Sequence, residues 1–173
     1  MTFVLIIAGI DLSVGSVMAL SGAVFGLAIM DMNAPLWLAA ILCLATGLAC
    51  GAFNGLVVTR WSVPSFIVTL GMLEIARGGA YLATDSQTKY IGAAVESSSA
   101  PLPGINLSPA LFLAIAVVIL GQLLLSRTIF GRRMIAVGTN EEAVHLSGIN
   151  VARIKLIVFS IGGMLAGLGG LFH

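Results

Sequence analysis

The sequence predicts an all-α polytopic membrane protein with about five transmembrane spans, and three observations point to that class. Hydrophobic residues make up 59% of the 173 residues and charged residues 9%, with a mean hydropathy of +1.12, whereas soluble domains hold about a quarter charged residues. The apolar residues are grouped in segments near the ~20 residues that a helix needs to cross the hydrocarbon layer. The longest polar interruption, Ser126 to Lys155, holds Arg127, Arg132, Arg133, Arg153 and Lys155, five of the eight Lys and Arg residues. Such an excess belongs to a cytoplasmic loop.

The first apolar segment, Thr2 to Met30, is broken at Asp11, with Ser13, Gly15, Ser16, Ser21 and Gly22 close behind. It exceeds one span, which predicts a tilted or interrupted helix restarted with Asp11 or Ser13 as N-cap. Asp31 to Asn33 turn the chain ahead of Pro35. The second span, Leu36 to Val58, carries Gly47, Gly51 and Gly55 at four-residue intervals. That spacing puts a groove on one helix face, where another backbone can approach. Arg60 and Trp61 sit where interfacial anchors do. A third span follows from Pro64 to Thr84, then a Ser-, Gly- and Pro-rich loop at 85–106, then a fourth span from Leu107 to Leu125. The fifth begins near Lys155 and runs through Gly162, Gly163, Gly167, Gly169 and Gly170.

Within the 126–155 stretch, Thr139 and Glu142 have capping-box spacing, and Asn140 is a second possible N-cap. Glu141 and Glu142 suit the positive end of a helix, where a charge contributes about 0.3–1 kcal/mol, and Gly148 suits its end. These signals predict a short helix from about Asn140 to Ser147. Its apolar residues, Ala143, Val144 and Leu146, are too few to fold alone, so it docks on its own bundle or on a partner.

With five alternating spans, the N-terminus, the Arg60 turn and the 126–155 loop share one side. The Asp31 turn and the 85–106 loop share the other, where Lys89 is the only cation. The first side is therefore cytoplasmic. A net charge of +1 with dispersed cations speaks against nucleic acid as a partner. Cys43 and Cys50 are two helical turns apart, about 10 Å, too far for a disulfide, and no metal-ligand cluster is evident. No phosphate-cradling glycine loop occurs, His145 and His173 are isolated, and no serine has a nearby histidine to activate it. The chain reads as no enzyme and binds no cofactor by any visible motif. The N-terminus lacks the charged start and cleavage site of a signal peptide.

Several polar residues fall inside spans. Asp11 would cost about 2.5–3.5 kcal/mol facing lipid at a helix centre, so it faces a cavity or partner, or else it caps the restarted helix. Ser13 and Ser16 lie beside it. Asn54 can hydrogen-bond across helices. Phe66, Thr69 and Tyr81 can offer stacking or hydroxyl contacts, or simply pack. Glu74 and Arg77, three apart, can pair with each other.

Three stretches together resemble one family. They are GRRMIAVGTNEEAVHLSGINVARIK at Gly131 to Lys155, IDLSVGS at Ile10 to Ser16, and NGLVVTRWSVPSFIVTLGMLEIARGGAYLAT at Asn54 to Thr84. In that order they are similar to the permease subunits of bacterial ABC importers of the ribose/xylose/galactose branch. The resemblance implies a type II-like permease bundle in the inner membrane, passing a pentose or hexose by alternating access. It makes 126–155 a cytoplasmic coupling loop, with Gly131, Gly138, Asn140, Glu141, Ala143, Gly148 and Ile149 shaping the helix that enters a groove of an ATPase subunit. It tilts the break at Asp11 toward a broken central helix beside the path, so that Asp11, Ser13, Ser16, Asn54, Phe66 and Thr69 are the translocation-path candidates, and the charge asymmetry puts 85–106 in the periplasm. The implied partners are that ATPase, which holds the ATP and Mg²⁺, a second permease chain, a periplasmic sugar-binding protein and membrane lipid. Permeases of this kind are longer, so residues 1–173 look like a partial permease domain.

A secondary transporter or channel without an ATPase is the competing class. It would need intramembrane carboxylates for ion coupling, with Asp11 and Glu74 as candidates, and it would leave the capped loop helix unexplained. The orientation has a direct check. Cysteine introduced as Thr139→Cys is expected to react with an impermeant thiol reagent in inverted vesicles and not in intact spheroplasts; labelling in spheroplasts would reverse the topology.

Overall fold

Proline and small polar residues set the helix boundaries. Pro35 and Pro64 hold extended backbone, with ψ of 147° and 133°, and each is the N-cap of a long helix. Ser108 and Thr128 accept from the backbone N–H groups of Ala110 and Gly131, capping two more. Asn33 and Ser62 take left-handed φ values of 48° and 53° in the turns ahead of the two proline-started helices.

The computed structural model describes residues 1–85 and 108–172. They form α1 (Thr2–Ile6), α2 (Val14–Met30), α3 (Leu36–Arg60), α4 (Ser65–Ala83), α5 (Pro109–Arg127), α6 (Ile129–Thr139), α7 (Glu141–Leu146) and α8 (Val151–Gly170), with no strand among the described residues. Helices α3, α4, α5 and α8 are long and apolar enough to cross a membrane, and α2 is a shorter apolar helix. The all-α polytopic class is therefore correct, and the first span is interrupted between α1 and α2. The loop expected at 85–106, with Lys89, lies outside the described residues except for Asp85.

Two boundaries differ from expectation. The last span starts at Val151 rather than near Lys155, because Asn150 caps it by accepting from the N–H of Arg153 at 3.0 Å. The 126–155 stretch, expected to hold one short helix, holds α6 as well. Gly131, Met134 and Val137 are buried at three-residue intervals while Arg132 and Arg133 are exposed, so α6 is amphipathic and lies against the bundle.

The centre of the bundle is the crossing of α3 and α8. A Cβ added at Gly47 would strike the carbonyl of Gly163 and stand 2.9 Å from Gly167 Cα. One added at Gly51 would strike the carbonyl of Phe159, and one at Gly55 would lie 2.9 Å from Leu156 Cα. The two backbones touch, and Cys43 Sγ donates to the Gly167 carbonyl at 3.1 Å. Helix α2 joins through Gly170, where a Cβ would come 2.7 Å from the Met18 carbonyl, and α4 packs on α2 through Met72 and Ala76. Helix α5 stands apart, packed mainly on α6, with no buried residue in its membrane-length window.

At one end, α1, α6, α7 and the start of α8 close over a common cluster that includes Val4, Ile7, Met134, Val137, Val144 and Ile154. Attraction between helices in lipid comes from close packing rather than from the hydrophobic effect. Gly51→Leu, which meets backbone that cannot give way, is expected to cost at least the ~1–3 kcal/mol of ordinary overpacking. The check is thermal unfolding of the full-length protein in detergent; a midpoint equal to that of the unsubstituted protein would contradict the crossing.

Candidate functional site

The break in the first span exposes backbone that a helix would have satisfied internally. Helix α1 ends at Ile6, Ala8 takes a left-handed φ of 57°, and the Gly9 N–H closes back on the Val4 carbonyl at 2.9 Å. Residues 10–13 then run alongside the first turns of α4. Ile10 N–H donates to Ser65 Oγ at 2.9 Å, and Leu12 N–H donates to Thr69 Oγ1 at 3.1 Å. The spacing explains the fit. Residues four apart on a helix are about 6 Å apart along its axis, and residues two apart in extended chain are separated by about 6.6 Å. The Thr69 hydroxyl also lies 3.2 Å from the Ile10 carbonyl and 2.9 Å from that of Ser65, to which its single proton can be given.

A second chain of bonds runs inward from α3. Asn54 Nδ2 donates to Ser13 Oγ at 3.1 Å, and Ser13 donates to Asp11 Oδ1 from both its hydroxyl, at 2.6 Å, and its N–H, at 2.9 Å. Asp11, Ser13, Asn54 and Thr69 are at most 3% exposed. Among the described residues Asn54 Oδ1 is buried with no hydrogen-bond partner, so the cluster has an acceptor left over. Ser13 is the N-cap residue of α2, but its side chain accepts no bond from α2; it is spent on Asp11. Asp11 does not cap α2 through N2 or N3 either, since its bonds go to Ser13 itself.

The structure thus brings together Asp11, Ser13, Asn54 and Thr69. Ser16 is half-buried outside the cluster, and Phe66 and Tyr81 are exposed. The expected pairing of Glu74 with Arg77 is absent: both are exposed, and among the described residues no ion pair joins them. Ser65, which the sequence reading passed over, is the residue that holds Ile10. Its only local signal is its place four residues before Thr69.

The second candidate region is the α6–α7 corner. Thr139 is the last residue of α6 and donates to the Ile135 carbonyl at 2.9 Å. The N-cap of α7 is therefore Asn140, whose Oδ1 accepts from Ala143 N–H at 2.9 Å. Ser147 ends the helix, and Gly148 follows at φ +81°, a conformation favourable only to glycine. Val144 is buried in the basal cluster with Ile149 packed beside it, while Ala143 is exposed and Leu146 is 81% exposed. Gly131 and Gly138 are the points where α6 touches other backbone, since a Cβ on Gly131 would strike the Leu125 carbonyl and one on Gly138 the Ile6 carbonyl. Glu141 does more than oppose the helix dipole. Both its carboxylate oxygens accept from Lys155 Nζ at 2.7 Å, tying α7 to α8. Fourteen residues separate the pair, so no helix-spacing rule could reveal it.

Thr69→Val removes the acceptor of the Leu12 N–H at nearly constant volume. The orphaned donor should cost about 1–3 kcal/mol, and hydrogen exchange at Leu12 in the full-length protein should speed up while exchange within α3 does not. Unchanged exchange at Leu12 would mean the tie to α4 does not hold the break.

Comparison with known proteins agrees with this architecture. A family model described as "Branched-chain amino acid transport system / permease component" matches residues 1–173. The fructose import permease protein FruF of Bifidobacterium longum is 39% identical over 178 residues, covering 99% of this chain and 49% of that protein. The ribose import permease protein RbsC of Escherichia coli K12 is 38% identical over 179 residues, covering 100% of this chain and 55% of that protein. The L-arabinose ABC transporter permease protein AraH of Azospirillum brasilense is 36% identical over 173 residues, covering 98% and 50%. No solved structure matches significantly. The chain spans about half the length of the curated relatives it matches. It belongs to this permease-component family of transport systems, among relatives named as sugar importers, and is an inner-membrane protein.

Proposed function

We propose that this chain forms part of the membrane path by which a pentose or hexose enters the cell, driven by ATP hydrolysis on a separate subunit. The observation that supports it most is the broken first span. Non-helical backbone at membrane depth is tolerated where it is buried in protein or lines a water-filled cavity. Here it coincides with a carboxylate, two hydroxyls and a carboxamide drawn from the break itself and from two helices, α3 and α4, the functional groups that sugar hydroxyls match. The names of the relatives, each joining a sugar to a permease, support the substrate class.

The drive comes from outside the chain in this reading, which assigns it transport rather than catalysis. Among the described residues no group of His, Cys, Asp and Glu could hold a metal, and ATP and Mg²⁺ are assigned to a cytoplasmic ATPase that receives α7. The geometry suits that contact: Leu146 and Ala143 stand outward, and Val144 anchors the other face in the basal cluster. That cluster contains Val4 and Ile7 of the segment entering the break, and Gly138 of α6 touches Ile6. A push on α7 is thereby delivered to the start of the unwound stretch. A second permease chain, a periplasmic sugar-binding protein and surrounding lipid complete the assembly. Residues 126–155 face the cytoplasm and 85–106 the periplasm, within one permease domain.

Asp11→Asn keeps the shape and weakens the charged acceptor for Ser13. Losing a charged hydrogen bond, at about 1.5–3 kcal/mol, should lower uptake roughly tenfold or more in the full-length protein while insertion and assembly persist. Ala143→Trp or Gly148→Val should leave insertion intact but separate ATP hydrolysis from uptake in vesicles. Normal uptake in Asp11→Asn would remove Asp11 from the path, and full ATPase co-purification and uptake in both loop variants would remove α7 as the coupling element.

A further inference from the structure

The polar cluster at the break carries a carboxylate that no cationic side chain answers. Asp11 is 3% exposed, and among the described residues no Lys, Arg or His pairs with it. Both of its hydrogen bonds, from the N–H and the hydroxyl of Ser13, end on Oδ1, so Oδ2 accepts none among the described residues. The start of α2, two residues on, offers about half an elementary positive charge, and the remainder is unbalanced. A charge so buried is normally paired or bound to a metal ion. With Asp11 and Asn54 both enclosed by the described helices, the missing charge has to be small enough to sit inside them. A side chain brought by another segment of a longer chain is not.

Oxygen acceptors without donors surround that carboxylate. Asn54 Oδ1 is buried and unpartnered among the described residues, and its carboxamide touches the same Ser13 hydroxyl that touches Asp11. Ser13 Oγ accepts once and donates once there, which leaves it a second lone pair. Gly9, Asp11 and Ser13 are buried while Ala8, Ile10 and Leu12 are exposed, the alternation of extended chain, which turns the polar side inward. The carbonyls of Gly9 and Asp11 accept no hydrogen bond among the described residues, because the chain is not helical there. Water supplies protons to such acceptors but no charge. A cation supplies both what the acceptors lack and what the carboxylate lacks.

We infer that the break holds a bare alkali cation, Na⁺ or K⁺, on the free oxygens of Asp11 and Asn54, with carbonyls of the unwound stretch as further ligands. One carboxylate balances one positive charge, whereas a divalent ion would leave an excess charge in the membrane interior. Alkali cations take carboxylate, amide and carbonyl oxygens, and unwound backbone inside a membrane is where such carbonyls become available. No cluster of His, Cys, Asp and Glu is required for that. The ion joins the break to α3 without disturbing the Asn54–Ser13 bond, which uses Nδ2 rather than Oδ1. The site goes beyond the transport reading and does not depend on it, since its ligands are placed by the fold whatever crosses the membrane.

The test uses the full-length protein in lipid nanodiscs, with choline chloride holding the ionic strength constant. Replacing choline by NaCl or KCl is expected to raise the thermal unfolding midpoint by at least about 2–4 °C. The salt with the larger effect names the ion. Equal midpoints in all three salts would mean that water alone fills the cluster and would overturn the inference, with no variant needed. Radioactive sodium binding, competed by unlabelled NaCl and KCl, then locates the site. Asp11→Asn is expected to lower the affinity at least tenfold and Asn54→Leu to lower it as well. Glu74→Gln, which removes the other carboxylate within a span, should bind as the unsubstituted protein does. Binding that survives Asp11→Asn, or that is lost in Glu74→Gln instead, would also overturn the site. Sugar uptake is measured separately: cation binding without uptake would sink the transport reading and leave the site standing, and uptake without any cation effect would do the reverse.

Discussion

Backbone inside a membrane must find its hydrogen bonds within the protein, and the unwound stretch at residues 10–13 places that demand at the centre of this fold. Helix α4 meets it with two hydroxyls one turn apart, and α3 supports it from the opposite side through Asn54 and Ser13. Helix α4 cannot draw away from the break without stranding the N–H groups of Ile10 and Leu12, nor α3 without breaking the Asn54–Ser13 bond. The glycine crossing of α3 with α8 then fixes where Asn54 stands. The polar cluster and the glycine contacts are thus parts of one restraint, one supplying direction and the other closeness.

One apolar cluster joins the two candidate regions, the break in the first span and the α6–α7 corner. Val144 of α7, Met134 and Val137 of α6, and Val4 and Ile7 of the segment before the break share one apolar cluster. Packed clusters of this kind shift as units rather than deform. The Glu141–Lys155 bridge adds a second link from α7 to α8. Exposed pairs of this sort contribute about 0–1 kcal/mol, so the bridge orients the helix more than it stabilises the fold.

What could be read from the sequence was local. Asn140, Glu141 and Gly148 mark the start and stop of a helix by their own chemistry, and an Asp followed by Ser and Gly inside an apolar run marks a break. The four-residue spacing of Gly47, Gly51 and Gly55 defines a helix face, but nothing in it says that α8 fills the groove. Helix α6 was illegible because Arg132 and Arg133 look like loop residues unless the buried positions Gly131, Met134 and Val137 are known. Thr139 misled because capping-box spacing is silent about which of two adjacent residues already belongs to another helix. Ser65 and Lys155 escaped because their partners, Ile10 and Glu141, are distant in sequence. The absence of a Glu74–Arg77 bond reflects the same limit, since proximity along a helix allows pairing without requiring it.

The claim at the centre of this account is that α3 holds the broken span through the bond from Asn54 to Ser13. A double-mutant cycle between Ser13→Ala and Asn54→Leu, read by thermal unfolding of the full-length protein in lipid nanodiscs, measures that bond directly. Coupling of about 0.6–1.7 kcal/mol, the range found for hydrogen bonds between membrane helices, is the expected result. Additive effects of the two substitutions would show that the break is held by other means and would contradict the account.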